Sequence, residues 1–147
     1  MWKYSIPIAL TVLLTSCRLA APQNDMAKGE QAVRDFYGLL AAGHYEEAAD
    51  LYGGDYGELA AANTEVSADE RSALWQVACE VNGYQCLPVL DVISNEAISQ
   101  KESILIVTFR APDGNAFMLG PCCGASEAEM PPKAEFEVHV FRQGQDY

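Results

Sequence analysis

The chain has 147 residues, 50% of them hydrophobic, and a formal net charge of −12. That length makes one domain with a real core, and a mean hydropathy of −0.04 is ordinary for a globular fold. The negative charge excludes nucleic acid as a partner, since phosphate binding needs Lys and Arg, and it excludes electrostatic docking on anionic lipid.

Trp2 and Lys3 open the chain, an apolar stretch runs from Ile6 to Leu14, and Leu14-Thr15-Ser16-Cys17 follows. A basic start, a short apolar run and small residues before a cut are the layout of a secretory signal peptide. A spanning helix needs roughly 20 mostly apolar residues. The run here is shorter, contains Pro7, and is followed at once by Arg18 after Cys17. Leu14-Thr15-Ser16-Cys17 resembles the lipobox of bacterial lipoproteins. The resemblance implies that residues 1–16 are a lipoprotein signal peptide, that the Cys17 sulfur is diacylated and that its new amino terminus is acylated. Residues 17–24 are then a lipidated tether and residues 25–147 one domain. The membrane is a partner through the lipid on Cys17, and the protein is extracytoplasmic, in the cell envelope. Without Asp after Cys17, the resemblance implies the outer membrane if the cell is Gram-negative.

Asn24 or Asp25 is placed to cap a helix beginning near Met26. Ala32, Val33, Phe36, Leu39 and Leu40 form one apolar stripe at i, i+3, i+4 spacing, and Gly43 ends it. A second helix buries Tyr45, Ala48, Ala49, Leu51 and Tyr52 and turns Glu46, Glu47 and Asp50 to water, until Gly53-Gly54 breaks it. Residues Asp55 to Ala62 read as a short helical turn. Ser67-Ala68-Asp69-Glu70 reads as a capping box for a helix carrying Leu74, Trp75, Val77 and Ala78 and stopping near Gly83.

The period then changes. Leu87 to Ile98 reads as a strand with Asn95 at a turn or bulge. Ile104 to Arg110 is apolar on both faces, so a central strand covered on both sides is expected. Pro112-Asp113-Gly114-Asn115 predicts a turn and Ala116 to Leu119 a returning hairpin strand. Gly120 to Pro132 is a loop. Ala134 to Arg142 is a last strand with Phe136, Val138 and Val140 on one face.

Of the five cysteines, Cys17 is taken by lipid, leaving Cys79, Cys86, Cys122 and Cys123. An even set in an exported domain points to disulfides. Adjacent Cys122 and Cys123 are about 3.8 Å apart at Cα, under the usual bridging range, so each is expected to join one of Cys79 and Cys86. A thiolate metal site and a vicinal disulfide are the alternatives. No C-x-x-C spacing is present, and no metal or cofactor is implied.

Helices followed by an antiparallel sheet make an α+β fold. The segment Ala32 to Tyr52, A-V-R-D-F-Y-G-L-L-A-A-G-H-Y-E-E-A-A-D-L-Y, resembles the opening helix pair of the NTF2-like superfamily. The resemblance implies N-terminal helices packed on a curved antiparallel sheet, closing a conical pocket. It also implies that Asp91 and His139 are candidates for an acid–base pair, the use some enzymatic members make of a pocket Asp and His. On the residues alone, Asp91 is in phase with Leu87, Val89 and Ile93, whereas His139 alternates with Glu137 and Phe141 on the wetter side. Tyr37, Tyr45, Tyr52, Tyr56 and Tyr84 supply core or the wall of an amphipathic pocket. No nucleophile elbow, zinc-protease helix, phosphate loop or dinucleotide fingerprint is present. The leading expectation is non-catalytic binding of a small ligand or a protein partner. The alternatives are a structural envelope or assembly subunit and a small enzyme using Asp91 and His139.

Overall fold

In a computed structural model, residues 23–143 are described; the Leu14-Thr15-Ser16-Cys17 segment lies outside them. The element order is α1 (Gln23–Ala42), α2 (Tyr45–Leu51), α3 (Gly57–Ala62), α4 (Arg71–Glu80), β1 (Val89–Ala97), β2 (Glu102–Phe109) and β3 (Phe136–Phe141). The fold is α+β, helices against an antiparallel sheet ordered β1-β2-β3.

The apolar stripe of α1 forms its inner side: Val33, Tyr37 and Leu40 are buried, with Phe36 and Leu39 packed against the core. The helix is already formed at Gln23, the first described residue, ahead of the expected start near Met26. Asp25 therefore sits in the first turn, where its charge suits the helix dipole, and its carboxylate accepts a hydrogen bond from Arg142 at 2.9 Å. Gly43 ends α1 at φ 77°. Its N–H donates to Leu40 and that of His44 to Leu39, the two bonds of a Schellman turn that favours glycine. The capping box forms only in part. Ser67 N–H donates to the Glu70 carboxylate at 3.2 Å, but α4 starts at Arg71 with Glu70 as an N-cap lacking a side-chain bond. The Ser67–Glu70 segment is spent on a turn ahead of the helix, closed by Glu70 N–H to Ser67 C=O.

β2 is central, as its sequence predicts. Its burial alternates from Glu102 to Val107, however, and becomes continuous only at Val107 to Phe109. Ser103, Leu105, Val107 and Phe109 are buried toward the helices, while Ile104 and Ile106 are only partly covered. The expectation of cover on both sides holds only in part: on the second face Thr108 is buried, but Ile104 and Ile106 are not. β1 carries two register irregularities, between Val89 and Asp91 and between Val92 and Ser94, rather than one at Asn95. The predicted strand Ala116 to Leu119 is reduced to isolated bridges, Arg110 with Ala116 and Leu119 with Lys133. The core joins both halves through Leu40, Trp75, Ala78, Leu105, Val107, Phe109 and Val140.

The cysteine pairing is corrected. Cys79 is bonded to Cys86, with Cα atoms 5.5 Å apart, while Cys122 and Cys123 are exposed and free. The reason is local: Gly83 at φ 69° folds the chain back at the end of α4, and Tyr84 N–H donates to Ala78 C=O. Cys86 is thus returned to Cys79 before the chain leaves the helix. The Cys123 thiol donates to the Cys122 sulfur at 2.9 Å, and no disulfide joins them.

Candidate functional site

A cavity of about 490 Å³ opens between α1, the Tyr52-Gly53-Gly54 segment after α2, and β3. That volume is within the range of small-molecule sites. α1 contributes Phe36 and Tyr37, the end of α2 contributes Asp50 and Leu51, the segment after it contributes Tyr52, α4 contributes Trp75, and the turn after α4 contributes Tyr84.

The wall is aromatic, and its geometry follows from one buried indole. Trp75 is 2% exposed. Phe36, Tyr52 and Tyr84 stand against it at centroid distances of 5.3, 5.0 and 5.6 Å and interplanar angles of 77°, 83° and 69°. These are the edge-to-face arrangements that ring quadrupoles favour. The indole N–H is satisfied by the Tyr56 hydroxyl at 3.2 Å, which donates to the Ala49 carbonyl at 3.3 Å. The Cys79–Cys86 bridge closes the loop that carries Tyr84, so it positions one wall of the cavity. Gly54 positions another. A Cβ there would meet the Tyr52 ring at 2.5 Å, so only glycine lets that ring fold back over its own turn.

Burial pushes the Tyr37 hydroxyl far above the ordinary tyrosine range, with the Tyr84 hydroxyl beside it adding to the shift. Burial also raises Tyr52 and Tyr84. The phenols are therefore neutral at any ordinary pH and act as hydrogen-bonding groups, not charges. Beside the tyrosines, the titratable lining groups are Asp50, Glu137 and His139; among the described residues no Lys or Arg lines the cavity.

His139 sits between two carboxylates. Its Nδ1 is 2.9 Å from Glu102 and its Nε2 is 3.0 Å from Glu137. The Glu102 hydrogen bond, followed by that of Glu137, raises its pKa above the ordinary histidine value. Asp91 lies elsewhere. On β1, it pairs with Thr108 of β2, its side chain is exposed, and its carboxylate accepts the N–H of Val92 at 2.9 Å. β2 separates β1 from β3, and His139 lines the cavity while Asp91 does not. The two residues are not brought together, so they do not form an acid–base pair. Among the described residues no three His, Cys, Asp or Glu side chains converge as a metal site.

Of the five tyrosines singled out in the sequence, Tyr37, Tyr52 and Tyr84 line the cavity. Tyr56 supports Trp75 from behind, and Tyr45 borders an open depression beside His44, its hydroxyl donating to Glu80 at 3.1 Å. Phe36 and Trp75 read as core from their helical spacing, and their second role as wall is a product of packing. The Gly53-Gly54 break was the one visible signal of an opening there. No family model, curated protein or solved structure matches the chain.

Proposed function

We propose that this chain is a non-catalytic binding module whose site is the aromatic cavity. The observation that carries the reading is the cavity itself: about 490 Å³, walled by six aromatic residues, with a few polar groups at the margin. This combination of apolar surface and sparse polar groups is what fixes and orients a bound molecule. The separation of Asp91 from His139 removes the acid–base set on which the enzymatic alternative rested.

In the same reading the domain is a lipoprotein, tethered through Cys17 in the extracytoplasmic envelope, with a helix pair and sheet of NTF2-like kind. The lipobox resemblance supports the tether, and the Ala32 to Tyr52 segment supports the family. No described helix is long and apolar enough to cross a membrane.

Native mass spectrometry on protein extracted from the envelope without reductant tests both parts. The expected result is an adduct that is lost when Tyr52 is replaced by Ala, together with acyl mass on Cys17. Protein carrying no adduct, and taking up none from a panel of amphipathic molecules, overturns the binding reading. An unmodified Cys17 overturns the tether.

A further inference from the structure

The cavity contains a feature that an ordinary small-molecule pocket lacks: one of its walls is an edge of the sheet that no further strand among the described residues pairs. β3 pairs with β2 on one side and has no described strand on the other. The register fixes which backbone groups are free. Arg142 N–H donates to Lys101 C=O at 2.8 Å, and these two residues stand opposite each other, in phase with Ser103–Val140 and Leu105–Val138. In an antiparallel ladder hydrogen-bonded and non-bonded pairs alternate. Val138 and Val140 therefore direct their N–H and C=O groups to β2, and Glu137, His139 and Phe141 direct theirs outward. These three residues all line the cavity.

We infer that the cavity receives an extended peptide, added antiparallel to β3 as a further strand. The inference rests on the binding reading above and names the class of its ligand. Strand addition draws affinity from main-chain bonds and specificity from pockets for alternate side chains, and both are present here. Side chains on the Val138–Val140 face meet Phe36, Tyr37, Tyr52 and Trp75. Side chains on the other face meet Glu137, His139 and Phe141, with Glu102 one strand further in. Leu51, Tyr84 and Phe141 line the cavity although they are 45%, 47% and 50% exposed, so apolar surface is left open at its mouth. The partner that fits is a peptide with apolar residues at every second position and Lys or Arg between them. The absence of Lys and Arg from the described lining and the net charge of −12 disfavour a second copy of this acidic chain on the same edge.

The test uses the full chain and a blocked peptide of about seven residues, long enough to span β3 at roughly 3.3 Å per residue, in which Lys alternates with Val and Phe. Isothermal titration is run with this peptide and with two N-methylated forms. One is methylated on the Lys amides, whose N–H groups face β3 in the antiparallel pair; the other is methylated on the intervening amides. Binding of the parent peptide is expected, with affinity lowered by roughly tenfold or more in the first form and little changed in the second. Amide exchange at Glu137, His139 and Phe141 should slow on binding, and Glu137→Lys should weaken the basic peptide without altering the fold. Equal affinity of the two methylated forms, or unchanged exchange at those three amides, overturns strand addition. So does a self-associated chain that the peptide fails to dissociate. If a small molecule occupies the cavity and the peptide does not bind, the peptide inference falls and the binding module stands. If neither binds, both fall.

Discussion

Trp75 is the residue on which the cavity wall depends. Phe36, Tyr52, Tyr56 and Tyr84 all stand at steep angles to its ring. Replacing it with Ala removes a large buried side chain and the partner of each ring. Trp75→Ala is expected to cost about 3–5 kcal/mol of stability, measured by urea denaturation, and a loss under ~1 kcal/mol would show that the rings repack without it. His139 acts differently because it is exposed. Its pKa is raised by Glu102 and then Glu137, so the protonated ring is favoured in the fold. The resulting contribution to stability is full below the unfolded value of about 6.5 and is lost as pH rises through the higher folded-state value. A proton NMR titration should find the His139 midpoint above the ordinary one, and Glu102→Gln should bring it down. A midpoint unmoved by that substitution removes Glu102 as the cause.

At the scale of elements, two short-range ties hold the helical layer in place. The Cys79–Cys86 bridge spans seven positions in sequence, and closing so short a loop stabilises by about 2–3 kcal/mol in the chain-entropy account. Cys79→Ser paired with Cys86→Ser should lower stability by that amount and loosen Tyr84, read as faster amide exchange there. Oxidised protein should retain two titratable thiols, Cys122 and Cys123; none would restore a second bridge. The other tie is Asn63, 2% exposed, whose amide donates to Leu59 C=O at 2.8 Å and whose oxygen accepts from Asn82 at 2.9 Å. Asn63→Ala leaves buried groups unpaired and should cost about 1–3 kcal/mol, again by denaturation; a neutral outcome would mean water takes its place. Much of this layer is legible in sequence, since periodicity marks the stripe of α1 and Gly43 its end. The bridge is not, because spacing alone does not say that Gly83 turns Cys86 back onto its own helix. Nor is the cavity. Whether a run such as Phe136 to Phe141 is an edge or an interior strand depends on how many neighbours it gains, which alternation does not encode. β2 misleads for a related reason: its continuous apolar run suggests two covered faces, but Ile104 and Ile106 remain partly open.

For the molecule as a whole, the sheet joins strands adjacent in sequence, and α1 is laid across it. Its first turn is held at both margins of the sheet: Asn95 of β1 donates to the Met26 carbonyl at 3.0 Å, and Arg142 beyond β3 donates to Asp25 at 2.9 Å. Residues separated by 117 positions are thereby neighbours. The order in which the elements are threaded is consequently a matter of convenience to the fold. A circular permutant, with Arg142 connected back to α1 by a short flexible linker and new termini opened at the exposed Asp113–Gly114 turn, should reach the same native state. Near-native amide spectra and an intact aromatic wall are expected of it. A permutant that stays unfolded would mean that α1 must be made first to serve as the surface on which the sheet assembles.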